Sequence, residues 1–148
     1  MMLNPFDDAY FMRQALIEAK KAFEADEVPV GAVVVAGNQI IGRGYNLTEK
    51  LHDVTAHAEL QALTAAANFL GAKYLKDCTL YVTLEPCPMC AGALYWSQIG
   101  NIKFGAFDQH RGATRHTPSL FHPSTQIQGG IKEDTCARLM KTFFERKR

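Results

Sequence analysis

His57-Ala58-Glu59 and, thirty positions after the histidine, Pro86-Cys87-Pro88-Met89-Cys90 are the residues whose types and spacing do chemistry. One imidazole and two thiolates are a zinc donor set that leaves the fourth tetrahedral position free, whereas a structural zinc site closes all four. Water held at such a position loses a proton at about pH 7. A carboxylate two residues beyond the imidazole can move protons for that water. His57, Cys87 and Cys90 are therefore the candidate metal ligands and Glu59 the candidate general acid and base. Each half alone is weaker: C-x-x-C is more often a structural metal or redox motif, and His-x-Glu is common by chance. Together, with both prolines, two helix starts and a strand between them, they point to catalysis.

The flanking sequence supplies elements to hold these groups. Residues 55–70 are Ala-rich and helical up to Gly71, with Thr55 as the expected N-cap, which puts His57 and Glu59 in the first turn. Residues 78–84 (CTLYVTL) read as a buried strand that hands over at Cys87 to a helix spanning 88–96, with Pro88 at the first helical position. A spacing of three brings Cys87 and Cys90 to one side of a turn, and the positive helix end favours their thiolate form. Residues 7–24 form a helix, with Ala9, Met12, Leu16, Ala19 and Phe23 at steps of three and four. Residues 28–35 and 39–45 are strands joined by hairpin chemistry at Ala36-Gly37-Asn38, and 102–107 is a further strand. Residues 108–130 are loop-rich, and 134–146 close the chain as an amphipathic helix. Strands alternating with helices give an α/β layered domain whose sheet is covered on both faces.

At 148 residues, 47% hydrophobic and 21% charged, the chain suits one domain over 1–148 with a proper core. The net charge of +1 neither demands nor excludes nucleic acid, but its distribution is uneven. Residues 1–30 carry three basic and six acidic side chains, residues 101–148 nine basic and four acidic. An acidic front and a basic back can give one positive face for phosphate. The N-terminus lacks the charged start and apolar run of a signal peptide, and no stretch is apolar enough to span a bilayer. Two of the four cysteines sit in a metal-type pair, which fits a reducing cytoplasm. Cys78 and Cys136, among apolar neighbours, read as small core side chains.

The H-x-E…P-C-x-x-C spacing is a recognised signature of zinc deaminases of nucleobases. The chain resembles bacterial tRNA adenosine deaminases of the cytidine-deaminase-like superfamily. The resemblance runs through Val28-Pro29-Val30-Gly31-Ala32-Val33, Gly42-Arg43-Gly44-Tyr45-Asn46, Asp53-Val54-Thr55-Ala56-His57-Ala58-Glu59, Leu80-Tyr81-Val82-Thr83-Leu84-Glu85-Pro86-Cys87, Met89-Cys90-Ala91-Gly92-Ala93, Phe104-Gly105-Ala106 and Phe143-Phe144. It implies a three-layer α/β/α sandwich with a five-stranded mixed sheet and one Zn2+ per subunit on His57, Cys87 and Cys90. It also implies Glu59 as proton shuttle and Asn46 as a contact to a flipped nucleoside. The implied partners are a second copy, in a homodimer, and a tRNA anticodon stem-loop. The implied reaction is adenosine to inosine at the wobble position. For Asn46, turn formation after a strand is the competing reading. The backbone N–H of Ala58 is a candidate substrate donor, and Val28 and Leu84 are either pocket walls or plain core. The chain departs from the family pattern between Asp108 and Ile131, in the run Asp108-Gln109-His110-Arg111-Gly112-Ala113-Thr114-Arg115-His116 and in a shorter segment after His122-Pro123; Arg111 and Arg115, with the tail Arg146-Lys147-Arg148, are candidate phosphate contacts.

Two rival readings share the metal site. One is a deaminase of a free base or nucleoside of the guanine, cytosine or adenosine type, which has no use for a basic back half. The other is a zinc-stabilised RNA-binding or scaffold protein without activity, which has no use for Glu59.

Overall fold

The computed structural model describes residues 4–147. Five strands form one sheet: β1 (Gly31–Ala36), β2 (Gln39–Tyr45), β3 (Cys78–Leu84), β4 (Asn101–Ala106) and β5 (Gln126–Gln128). Their order is β2-β1-β3-β4-β5. β1 runs antiparallel to β2 and β3, while β3, β4 and β5 run parallel, so the sheet is mixed. The helices are α1 (Asp8–Glu24), α2 (Ala58–Leu70), α3 (Pro88–Ser97) and α4 (Glu133–Arg146), with a short 3-10 turn at Ala113–Arg115.

Side chains alternate across a strand with period two, and here they build two cores. Val33 and Val35 of β1 and Tyr81 of β3 pack with Phe11, Met12, Ala15 and Leu16 of α1 and Cys136 of α4. Ala32, Val34, Leu80, Val82, Ile102 and Phe104 pack with Ala58, Ala62 and Ala66 of α2 and Ala91 and Leu94 of α3. The result is the expected α/β/α sandwich. Each fully buried Leu or Phe here contributes about 1.5–3 kcal/mol of burial free energy. Cys78 and Cys136 are buried in these cores, as their neighbours suggested.

Two features of the layers bear on the site. α2 lies directly on β2: a Cβ on Gly44 would come within 2.6 Å of the Ala58 carbonyl oxygen and 2.7 Å of the Ala62 nitrogen. Alanines on one surface and glycine on the other thus set the height of the α2 N-terminus above the sheet. β3 and β4 are joined by the crossover helix α3, and the carboxyl end of β3 feeds straight into Cys87, the usual side for a ligand site in an α/β sheet.

Behind the sheet, Asp8 accepts from the Tyr81 hydroxyl at 2.6 Å and from Lys103 at 2.9 Å. Burial opposes ionisation of Asp8, but these two donors outweigh it and hold its carboxyl below the ordinary 3.8. β1 starts at Gly31 and not at Val28, since Pro29 has no N–H to give a ladder. β5 falls inside the segment read as loop; its Gln-Ile-Gln is exposed throughout.

Candidate active site

His57 is the N-cap of α2 and Cys87 the N-cap of α3. The expected cap, Thr55, is not one: its hydroxyl and N–H both go to Asp53 Oδ1, at 2.6 and 2.8 Å. Neither true cap makes a side-chain hydrogen bond to its own helix, because imidazole and thiol turn toward each other. Two positive helix ends, with first-turn N–H groups lacking intrahelical partners, therefore face one spot.

At that spot His57 Nδ1 lies 3.4 Å from Cys90 Sγ and 3.7 Å from Cys87 Sγ. Ideal tetrahedral zinc, with Zn–N of about 2.0 Å and Zn–S of about 2.3 Å, separates its donors by about 3.5–3.8 Å. His57, Cys87 and Cys90 are thus positioned to hold a metal ion, and no fourth His, Cys or carboxylate joins the cluster among the described residues. The hydrogen bond from Cys90, with His57 beside it, pulls the Cys87 thiol down to about 4 despite burial. Cys90 moves the other way, kept protonated by its bond to Cys87 and by burial. The adjacent thiolate raises His57.

Glu59 is 4% exposed, and burial pushes its carboxyl up to about 7. It lines a cavity of about 740 Å³ with His57, Cys87, Ala58 and Asn46. The structure thus gathers the candidate metal ligands together with Glu59, Ala58 and Asn46: Cys90, fully buried, completes the metal cluster behind the cavity wall. Asn46 is buried and makes the turn of its competing reading, Nδ2 donating to the Val28 carbonyl and Oδ1 accepting the Thr48 N–H, each at 3.3 Å, while it also lines the cavity. Val28 and Leu84 are half-buried cavity walls and not plain core.

A family model for MafB19-like deaminases matches residues 6–148. The tRNA-specific adenosine deaminase of Aquifex aeolicus is 52% identical over 94% of this chain and 95% of that protein. The chain belongs to the tRNA-specific adenosine deaminase family. A chloroplastic relative of this family from Arabidopsis thaliana, tRNA(adenine(34)) deaminase, is 43% identical over 93% of this chain, which spans 12% of that much longer protein. A solved structure from work on A-to-I editing by tRNA:A34 deaminases at the wobble position of transfer RNA superposes with a TM-score of 0.82. It is 40% identical, and the match covers 88% of this chain and 98% of that one. The sheet and its flanking helices are the cytidine-deaminase-like fold of these family members.

In this member of the tRNA-specific adenosine deaminase family the cavity has further walls. Phe107, just past β4, and Asp108, Gln109, His110 and Arg111 of the divergent segment line it, as do Met140, Lys141 and Phe144 of α4. The amphipathic stripe of α4 is the available signal for the second group; in the first, only Arg111 is marked out, by its charge, and its neighbours show no periodicity. Arg111 is at the cavity, but Arg115 donates to the carbonyls of Asp108 and Gln109, at 2.9 and 2.6 Å. Arg146 and Lys147 fold back on Asp26, at 3.8 and 2.6 Å, and Arg148 lies outside the described residues. Among the described residues the arginine and lysine at the cavity are therefore Arg111 and Lys141, not Arg146 or Lys147.

Proposed function

We propose that this protein is a zinc-dependent hydrolase that converts adenosine to inosine at the wobble position of a tRNA anticodon, releasing ammonia. The observation that carries the reading is the buried Glu59 carboxyl beside a three-donor cluster at one cavity. The family relationship supports the RNA substrate.

Zinc suits two sulfurs and one imidazole nitrogen in this geometry, one ion per subunit on His57, Cys87 and Cys90, and when bound it supplies Lewis acidity and an activated water. Glu59 accepts a proton from the attacking water and hands it to ring nitrogen N1 as water oxygen bonds to C6. It then takes the second proton of that oxygen and gives it to the 6-amino group, which leaves as ammonia while a ring carbonyl forms. Burial, which disfavours a lasting negative charge on Glu59, suits its carboxyl to both roles, accepting and donating. Asn46 offers a carboxamide edge to the nucleoside, and the Ala58 N–H, first in α2, offers a donor. Val28, Leu84, Phe107 and Phe144 present apolar area to the base, and an anticodon-loop base is cheap to extrude.

Arg111 and Lys141 at the rim favour a polyanion over a free base. We place the enzyme in the cytoplasm; no described helix is long and apolar enough to cross a membrane. We also propose a homodimer, for which Trp96 and Val54, 76% and 83% exposed, offer apolar surface. The test is to incubate zinc-loaded protein with an anticodon stem-loop and, separately, with free adenosine, guanine and cytosine. Inosine in the RNA is the expected result. Turnover of a free compound with none in the RNA selects the free-base alternative.

A further inference from the structure

Glu85, two residues before Cys87, is 3% exposed, and its carboxylate is spent on one loop. Oε1 accepts the Asp108 N–H at 2.9 Å; Oε2 accepts the Thr114 N–H at 3.0 Å and the Thr114 hydroxyl. The neighbouring Pro86 carbonyl accepts the Ala113 N–H at 2.9 Å. The loop is also knit from within, since Asp108 Oδ1 accepts from the His110 and Arg111 N–H groups, both at 3.0 Å. Residues 108–114 are thus tied to one another and to the end of β3, beside the candidate metal ligand Cys87.

Gly112 reports how tightly the anchor is seated. Its φ of −66° is open to any residue, so its backbone does not call for glycine. A Cβ there would overlap the carboxyl carbon and both oxygens of Glu85. The loop closes over the carboxylate because position 112 carries no side chain. The residues so held, Gln109, His110 and Arg111, line the cavity.

We propose that Glu85 is a positioning residue: by gripping residues 108–114 it fixes the Arg111-bearing rim relative to Cys87 and so sets how RNA is bound. The proposal rests on the deaminase reading above. Hydrogen bonds to a carboxylate are among the stronger ones. Without them the rim must be ordered at each binding event, which lowers affinity and leaves the Glu59 chemistry in place. The effect therefore falls on KM more than on kcat.

The experiment compares zinc-loaded wild type with Glu85→Ala, Glu85→Gln, Gly112→Ala and the double variant Glu85→Ala/Gly112→Ala. Readouts are KM and kcat on an anticodon stem-loop, zinc content, and amide hydrogen exchange over 108–114. Glu85→Ala and Gly112→Ala should each raise KM about tenfold, with a smaller change in kcat. The double variant should be no worse than Glu85→Ala, because removing the carboxylate makes room for the new methyl. Glu85→Gln should fall between, keeping one acceptor oxygen but turning an NH2 toward a donor. Exchange over 108–114 should quicken in every variant and zinc content should hold.

Additive effects, loss of zinc, or a fall in kcat at constant KM would overturn the proposal. If Glu85→Ala does not fold, Gly112→Ala and Thr114→Val decide by exchange and KM, and unchanged values in both overturn it. If wild type forms no inosine in RNA, the deaminase reading fails separately; unchanged exchange in the variants would then sink the anchor as well.

Discussion

Replacing Gly44 with alanine tests whether contact between β2 and α2 sets the geometry of the metal cluster. The added methyl carbon would sit 2.6 Å from the Ala58 carbonyl oxygen, 2.7 Å from the Ala62 nitrogen and 2.5 Å from Gln61 Cβ, where ordinary contact begins at 3.4 Å. Two of these neighbours are helix backbone, so the first turn of α2 must recede by about 0.8 Å, the difference between 3.4 and 2.6 Å. Overpacking of this kind costs about 1–3 kcal/mol, which for a domain of this size lowers Tm by about 2–12 °C. The larger consequence is local. Ala58 is bonded to His57, and zinc sites hold their ligand distances to about 0.2 Å, so zinc affinity should fall about 10–100-fold. Gly92→Ala is the control: it lies in α3 two residues past Cys90, with nothing within 4 Å of a new Cβ, and in a helix interior it should be neutral or gain about 0.5–1 kcal/mol. The assay is competition for zinc against a chromophoric chelator, run beside thermal melts. Wild-type Tm and zinc affinity in Gly44→Ala, or equal losses in Gly92→Ala, would refute the argument.

Glu59→Ala should keep zinc and melt within a few degrees of wild type, yet lose about 10²–10⁴-fold in ammonia release; near-normal turnover removes the proton-shuttle assignment. Chelation, or Cys90→Ala, should lower Tm, since ion present at about 100 times its Kd is worth about 2.7 kcal/mol; identical melts with and without zinc would show that the cluster does not bind it. Asp8→Asn should destabilise at neutral pH. The Asp8 carboxyl in the folded state lies below its ordinary 3.8, so the unfolded chain binds more protons there and stability rises with pH. The gap between wild type and Asp8→Asn should accordingly close as pH falls below 3.8 through the folded value. A gap constant from pH 7 to pH 2 in denaturant melts would contradict this.

What the sequence disclosed follows from interaction range. The two cores are legible because parity along β1 and β3 sorts Val33, Val35 and Tyr81 from Ala32, Val34, Leu80 and Val82. The metal cluster is legible because its chemistry is written in short spacings, His57 at one helix start and Cys87 and Cys90 at another. β5 was not, since three exposed residues carry no alternation. The N-cap of α2 was misread because propensity favours Thr55, while the fold gives the position to a ligand and leaves the cap unmade.

The glutamates expose the deeper limit. Glu27, Glu59 and Glu85 are all buried, and nothing in residue type distinguishes them. Glu27 accepts the N–H groups of Glu49 and Lys50 at 2.9 and 2.8 Å, 22 and 23 positions away, and Glu85 those of Asp108 and Thr114, 23 and 29 positions away. Backbone donors at such separations leave no local pattern, yet they turn a buried carboxyl into a clamp for a loop. One clamp secures the segment after Asn46 and the other the segment before Arg115, and both segments contribute to the cavity. Glu59 instead sits beside two thiols and an imidazole, where burial raises it to about 7. The proton role proposed for Glu59 is legible in its spacing from His57, whereas the clamps made by Glu27 and Glu85 emerge only when the fold brings distant backbone donors to them.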